Sequence, residues 1–245
     1  MPTLDTGSRK HLLDLLVHPD YPAALHNLVS DAGVVVTPAD NRQPKSHAEH
    51  EEWELPKFLK LYCVGWFEAG DPFDAWQLPH GGKLPTWDLI STSMIAGQKG
   101  LLLVEAKAHE SELGLAGKAL PPEELTKSKA NHDHISLCMA AVCDEMRKWV
   151  AASINISVNS HYQLSNRIAW AWRAAQNGCV PVILLYLGFI GDKYFADYFI
   201  DEEHWQRVMV AYMNGVLPLG LPGKTIKFEN GGSFVMLVRA LPAST

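Results

Sequence analysis

A glutamate and a lysine, Glu105 and Lys107, follow directly after the apolar residues Leu101–Val104. In an extended strand, residues two apart lie on one face, so both charged side chains point the same way and Ala106 points the other way. A carboxylate can bind a divalent cation, and an ammonium group beside it can hold a water molecule or stabilise developing negative charge. The pattern therefore predicts a polar site at the end of a buried strand.

The elements around these residues predict a β-hairpin. Residues 86–95 alternate in polarity and are rich in β-branched and aromatic residues, which is typical of a strand. The segment 96–99 contains a glycine, and we expect it to form a four-residue loop that leads into a strand at 101–108. This loop length pairs Ile95 with Gly100.

The expected register brings a second carboxylate to the site. It places Asp88 opposite Lys107 and diagonal to Glu105 on one face of the hairpin. Diagonal neighbours lie about 7–8 Å apart at the backbone, and two carboxylates at that separation can bind one divalent cation. The alternative is that Glu105 and Lys107 form a surface ion pair in an unrelated α/β protein, which would contribute little to stability.

These residues also resemble a known motif. The segment 85–88, PTWD, is followed by the hairpin and by Glu105-Ala106-Lys107, which resembles the P-D…(D/E)-x-K signature of the restriction-endonuclease-like nucleases. The resemblance covers residues 46–190. It implies an α/β restriction-endonuclease-like core, a mixed β-sheet flanked by helices. It also implies an endonuclease that uses Mg²⁺, or Mn²⁺ in its place, to hydrolyse phosphodiester bonds of DNA.

The resemblance assigns roles to the residues of the motif. Asp88 and Glu105 would bind Mg²⁺ together with the backbone carbonyl of Ala106. Lys107 would assist the attacking water, and the metal would stabilise the charge that develops on the phosphate.

A helix after the hairpin supplies two further candidates. Gln163 and Arg167 lie four residues apart, on one face of a helix predicted at 163–177. The resemblance implies that Arg167 holds the scissile phosphate and that Gln163 contacts Lys107 or the backbone. From the residues alone, an ordinary solvated helix start is an equal alternative.

The resemblance also implies a glutamate from the first helix of the core. The S-x-x-E pair of Ser46 and Glu49 predicts a capping box that starts this helix. Glu52 shares a face with apolar residues of that helix, so it is the favoured fourth metal ligand. Glu51 is the close alternative, and either glutamate could instead be an ordinary solvated side chain.

The rest of the chain predicts one domain of 245 residues, in which residues 1–45 form a helical extension before the core. A polar loop is expected at 109–129. We predict further helices at 12–17, 21–29, 131–153 and 202–213, and further strands at 180–189 and 233–241.

Composition limits the function classes. The net charge of −6 opposes promiscuous, tight binding to nucleic acid, because phosphate contacts need Lys and Arg. An alternative is therefore a catalytically silent nuclease-like module that binds nucleic acid or a protein partner. The four cysteines fit no zinc spacing and no apolar run could span a membrane, so we expect a cytoplasmic protein with reduced thiols. A nuclease of this kind would take its specificity from loops, a homodimer or a partner protein.

Overall fold

The computed structural model of the chain describes residues 6–67 and 71–244. Its helices are α1 (Gly7–Val17), α2 (Tyr21–Val29), α3 (Leu55–Tyr62), α4 (Thr126–Trp149), α5 (Tyr162–Asn177) and α6 (Glu202–Met213). Its strands are β1 (Val34–Val35), β2 (Arg42–Gln43), β3 (Trp53–Glu54), β4 (Thr86–Trp87), β5 (Leu89–Ile95), β6 (Gln98–Lys107), β7 (Pro181–Ile190), β8 (Ile226–Lys227) and β9 (Ser233–Pro242). The helices predicted at 21–29 and 202–213 are confirmed at both ends, and the other predicted helices outside the first core helix differ only in their bounds.

The main sheet is mixed and has seven strands in the order β1-β5-β6-β7-β9-β8, with β2 also paired to β5. The central strands β6, β7 and β9 are parallel, whereas β5 is antiparallel to β6 and β8 is antiparallel to β9. Every residue of β7 except its last is buried, as expected for a strand covered by helices on both faces. The α/β class with a mixed, helix-flanked sheet is thus confirmed.

The two faces of the sheet form two separate hydrophobic cores. On one face, α1 and α2 pack on alternate residues of the strands, such as Val104 and Leu185. On the other face, α3, α4, α5 and α6 cover residues such as Leu103 and Leu184. The segment expected as an N-terminal extension therefore supplies one whole layer over the sheet. Glu105 and Lys107 alternate with Val104 and lie on the α3–α6 face.

The register of the hairpin differs from the expected one by two residues. Ile95 pairs with Gln98, so the loop consists of only Ala96 and Gly97. Both residues have positive φ, 49° and 81°, which is the geometry of a two-residue turn that matches the twist of the strands. The prediction that Ile95 pairs with Gly100 is therefore wrong. Because side chains alternate with a period of two, the shift leaves Glu105 on the expected face.

The prediction that a helix starts at Ser46 is also wrong. The Glu49 N–H does donate to Ser46 Oγ at 3.2 Å, but the chain continues in turns and then pairs as β3 with β4. The helix α3 begins only at Leu55, with Pro56 in its first turn, where the missing N–H costs no helical hydrogen bond. Glu51 and Glu52 consequently precede the helix and do not lie on it.

The four cysteines are free thiols, and Cys63 and Cys143 are buried in the α3–α6 core. Burial raises the pKa of Cys63 to about 12. No helix within residues 6–67 and 71–244 combines the length and apolar character needed to cross a membrane.

Candidate active site at the end of β6

Glu105 and Lys107 form a buried ion pair. Their exposed fractions are 1% and 5%, and Lys107 Nζ donates to Glu105 Oε1 at 2.6 Å. The second carboxylate oxygen, Oε2, accepts a hydrogen bond from Nε of Arg167, which is 9% exposed. A lysine of β6 and an arginine of α5 thus bind the carboxylate of Glu105. The Glu105–Lys107 pair is buried and is not the surface ion pair of the alternative.

Asp88 lies at the same end of β6, where β5 begins. Its Oδ2 accepts a hydrogen bond from the Ala106 N–H at 2.7 Å, in the place where a backbone carbonyl of a longer β5 would be. The N–H and C=O of one strand residue point to the same edge, so the Ala106 carbonyl also points toward the edge where Asp88 lies. In the observed register, the next pair after Leu89 and Val104 would be Asp88 and Glu105. We refer to Asp88, Glu105, Lys107 and Arg167 as the Glu105 cluster.

The two carboxylates of the Glu105 cluster have opposite electrostatic environments. Burial, helped by the charge of Glu105, raises the pKa of Asp88 to about 7. Burial would also raise the pKa of Glu105, but the charges of Arg167 and Lys107 outweigh it and lower that pKa. The pKa of Lys107 is raised, because Glu105 and Asp88 outweigh the effect of its burial. The cluster therefore contains one carboxylate, Glu105, that is paired with two cations, and a second carboxyl, Asp88, that takes up a proton more readily than usual.

Arg167 is held by two contacts that leave part of its guanidinium available. The guanidinium carbon lies 4.8 Å from the ring centroid of Trp87, which is fully buried, and Nε donates to Glu105. Its two Nη groups make no hydrogen bond with any residue in the described ranges. The planar guanidinium can use such donors to bind a phosphate in a bidentate manner.

Glu52 lies near the cluster, but in the segment before α3 and not on a helix as expected. Glu52 Oε2 accepts from Thr86 Oγ1 at 3.0 Å, and Oε1 lies 3.7 Å from Nη1 of Arg9. Its charge contributes to the raised pKa of Asp88. Glu51 is exposed, and its backbone carbonyl accepts a hydrogen bond from Gln43 Nε2 at 3.1 Å.

Gln163 is not brought into the cluster by a hydrogen bond. It is half-buried at the start of α5 and makes no hydrogen bond within residues 6–67 and 71–244. The expected contact with Lys107 is absent from these residues, in which Lys107 Nζ donates to Glu105 Oε1.

Two residues near the cluster were missed by the sequence analysis. Glu112 accepts the Ala108 N–H at 2.5 Å and contributes to the raised pKa of Lys107. Tyr186 is the β7 residue paired with Glu105, and its buried hydroxyl has no hydrogen-bond partner among the residues described. A single hydroxyl within an otherwise apolar strand was the available signal for Tyr186. Nothing in the sequence pointed to Glu112.

The donor set of the cluster fits a hard divalent cation. Asp88, Glu105 and the Ala106 carbonyl offer oxygen ligands, and Mg²⁺ in proteins usually takes one or two carboxylates and keeps several waters. Asp88 forms no ion pair within the residues described, so its carboxylate is the one open to a cation. No three His, Cys, Asp or Glu side chains converge on a metal position in the described part of the chain. A cation would therefore share Glu105 with Lys107 and Arg167.

A second polar cluster contains a Ser-His-Asp set but lacks the state needed for nucleophilic catalysis. His11 Nε2 lies 2.8 Å from Asp192 Oδ2, and His11 Nδ1 lies 2.7 Å from Ser244 Oγ. However, the Ser244 hydroxyl donates to Asp14 at 2.5 Å, and the Ser244 N–H donates to His11 Nδ1 at 3.0 Å. The imidazole lone pair is thus already occupied and cannot take the serine proton. The contacts tie the segment after β9 to α1.

The Glu105 cluster joins the hairpin β5–β6 to α5 through side chains that are distant in sequence. Comparisons of the chain with protein-family models, with curated proteins and with solved structures give no match.

Proposed function

We propose that the protein is a Mg²⁺-dependent nuclease that hydrolyses phosphodiester bonds of DNA and has a restriction-endonuclease-like core. The observation that carries the proposal is the buried contact of Glu105 with Lys107 and Arg167, next to the second carboxylate of Asp88. Burying such a set of charges is costly unless the geometry is good, and a set placed at the end of a strand is typical of a functional site.

The sheet topology supports the same proposal. The antiparallel pair β5–β6 is followed by a crossover through α4 and α5 to β7, which is parallel to β6. The crossover places α5 over the end of β6, so that Arg167 reaches a carboxylate 62 positions away in sequence.

The residues of the chain would act on a phosphodiester as follows. Lys107 has N–H groups beyond the one that binds Glu105 and would donate to the oxygen of the attacking water, which holds it next to the phosphorus. The free Nη groups of Arg167 would hold two non-bridging phosphate oxygens and stabilise their negative charge. The water oxygen then bonds to phosphorus while the opposite P–O bond breaks. The attacking water gives its proton to bulk solvent, and the leaving oxygen takes up a proton from solvent.

Asp88, Glu105 and the Ala106 carbonyl would hold the Mg²⁺ ion, with Glu52 near enough to add negative charge. When bound, the ion acts as a Lewis acid on the phosphate. Asp88 also acts when no ion is bound, because its carboxylate accepts a hydrogen bond from the Ala106 N–H and so fixes the backbone of β6 at the site.

The experiment is digestion of plasmid and single-stranded DNA with Mg²⁺ or Mn²⁺, compared with EDTA. We expect cleavage by the wild type and a loss of at least about a hundredfold in Glu105→Ala and Lys107→Ala, the scale of removing a group that acts in the transition state. Glu123→Ala, which removes an exposed acid of the loop before α4, is the control and should cleave normally. Equal activity in all four proteins would contradict the proposal.

A catalytically silent module that binds nucleic acid or protein is the second candidate. It is favoured by the net charge of −6 and by the occupation of both Glu105 oxygens by cations. Under this alternative, the wild type binds DNA but does not cleave it with either metal, and Glu105→Ala binds as the wild type does or loses binding only through unfolding.

A further inference from the structure

A pocket beside the Glu105 cluster is not used by the proposed cleavage. α4, α5 and the loop 78–85 enclose a cavity of about 220 Å³. Trp76 and Trp170 pack edge to face in its apolar wall, with ring centroids 5.0 Å apart. The volume is below the range of about 300–1,000 Å³ that holds drug-sized ligands, so it suits a single flat ring system. We call it the Asn166 pocket.

Asn166 is the amide that lines this pocket, whose other polar lining includes His134 and Cys138 in contact with each other. Its exposed fraction is 7%, it lines the cavity, and it makes no hydrogen bond with any residue in 6–67 or 71–244. The amide atoms are not completely enclosed, so they can pair with a ligand that enters the pocket. The side chain offers one acceptor and two donors, the combination that pairs with the edge of a nucleobase.

The rim of the pocket is positively charged although the chain is acidic. Lys83 and Lys118 line it, and no carboxylate does. Lys118 Nζ lies 4.8 Å from the ring centroid of Tyr162, and neither lysine forms an ion pair with another residue that the structure describes. These lysines could bind the phosphates on either side of a bound base, and the base could stack on the Tyr162 ring.

The pocket lies near the proposed phosphate position, because Tyr162 lines it and is close enough to Arg167 for that charge to act on the Tyr162 hydroxyl. Asn166 directly precedes Arg167 in α5, and Pro85 lies two residues before Trp87, whose ring supports the guanidinium of Arg167. A nucleotide whose phosphate is held by Arg167 therefore has this cavity next to its base.

We propose that the Asn166 pocket binds one unpaired nucleobase of the DNA substrate, next to the phosphate held at Arg167. The inference rests on the proposed function and narrows its substrate to single-stranded DNA or DNA with a base turned out of the duplex. A paired base cannot enter, because its neighbours are stacked on it and its pairing edge is already bonded.

The test is equilibrium binding of a fluorescein-labelled single-stranded oligonucleotide and of its blunt duplex, measured in EDTA so that no cleavage is needed. The wild type should bind the single strand at least about tenfold more tightly. Asn166→Leu, which keeps the volume but removes the hydrogen-bonding groups, should weaken single-strand binding about tenfold, or about 1.4 kcal/mol, and leave duplex binding unchanged. Asn177→Ala, at the exposed end of the same helix, is the matched control and should change neither.

A second variant does not disturb the interior. Lys118→Ala lies at the rim and should lower the slope of log affinity against log salt by about 0.7 on the single strand, the value for one phosphate contact. Circular dichroism checks that each variant is folded.

The outcomes separate this inference from the proposed function. Weaker single-strand binding in Asn166→Leu, without metal-dependent cleavage by any protein, supports the pocket and contradicts the nuclease. Cleavage that requires Glu105 while Asn166→Leu binds the single strand as the wild type does contradicts the pocket alone. No binding of either oligonucleotide by the wild type also overturns the pocket proposal and leaves an apolar small molecule or a protein side chain as its occupant.

Discussion

Replacing Asp88 by asparagine should stabilise the protein at neutral and alkaline pH when no divalent cation is present. Burial and the charge of Glu105 raise the pKa of Asp88 from 3.8 to about 7. The folded state therefore holds this proton more tightly than the unfolded state, and the free energy of unfolding falls as pH rises from about 4 to about 7. Asparagine has no charge to bury, and its Oδ1 can still accept the hydrogen bond from the Ala106 N–H.

The magnitude follows from the size of the pKa shift. About three units at about 1.36 kcal/mol each give about 4 kcal/mol. Part of the Asp88 side chain reaches solvent, which screens its charge, so we expect about half of this value, or about 2 kcal/mol, at about pH 8. For a chain of this length each kcal/mol shifts the Tm by roughly 2–4 °C, which gives a rise of about 4–8 °C.

The assay is thermal unfolding in EDTA, followed by circular dichroism at about pH 8 and about pH 5. The gain of Asp88→Asn should fall to less than half at the lower pH, because folded wild type is then protonated at Asp88. Asp144→Asn removes an exposed carboxylate paired with Arg147 and should shift the Tm little at either pH. Excess Mg²⁺ should raise the Tm of the wild type more than that of Asp88→Asn.

Glu105→Gln should have the opposite effect in the same assay. The substitution removes the carboxylate that pairs with the buried Lys107 and Arg167, and breaking a buried ion pair costs about 3–5 kcal/mol. The reasoning would be refuted by an Asp88→Asn variant that melts at or below the wild-type temperature at the higher pH. A Glu105→Gln variant as stable as the wild type would refute it equally.

Three further predictions concern single positions. Gly188→Ala should destabilise the protein by about 1–3 kcal/mol in urea unfolding, because the added Cβ would lie 2.5 Å from the Trp205 indole. Gly65→Ala, whose Cβ would meet no atom of the described residues within 4 Å, should cost only its backbone strain. Ala96→Asn should raise the free energy of unfolding by up to about 1 kcal/mol in the same measurement, because φ is 49° at this position and asparagine tolerates a positive φ better than alanine does. A lower free energy of unfolding would contradict the observed turn. Tyr186→Phe should leave the free energy of unfolding unchanged or raise it by about 1 kcal/mol, because it removes a buried hydroxyl without a partner among the described residues. A loss of more than about 1 kcal/mol would mean that the hydroxyl is bonded.

The sequence was sufficient for the elements that have strong local patterns. The continuous apolar run of β7 and the polarity pattern of α5 and α6 predicted these elements nearly as they are, since burial on a fixed face sets their periodicity. The face of Glu105 was also predictable, because it depends only on alternation along β6. The local turn geometry could not be predicted, since the pair Ala96-Gly97 does not by itself indicate a positive φ at both positions.

Contacts between distant segments could not be predicted from the sequence. The hydrogen bond of Arg167 to Glu105, the position of Glu112 beside Lys107 and the place of Asn166 in its pocket all depend on how α5 and the loop after β6 pack on the sheet. The helix expected from Ser46 failed for a similar reason. Its local hydrogen bond forms, but pairing of β3 with β4 prevents the helix from continuing.

The two-residue turn at Ala96 and Gly97 has a consequence for how this hairpin can change in evolution. An insertion of two residues in the loop keeps the alternation of side chains along β6, so Glu105 stays under α5. A change of one residue would turn β6 over, move Glu105 and Lys107 to the face that packs on α1 and α2, and separate them from Arg167 on α5. Natural and laboratory variants that keep the site should therefore differ in the length of this loop by even numbers only.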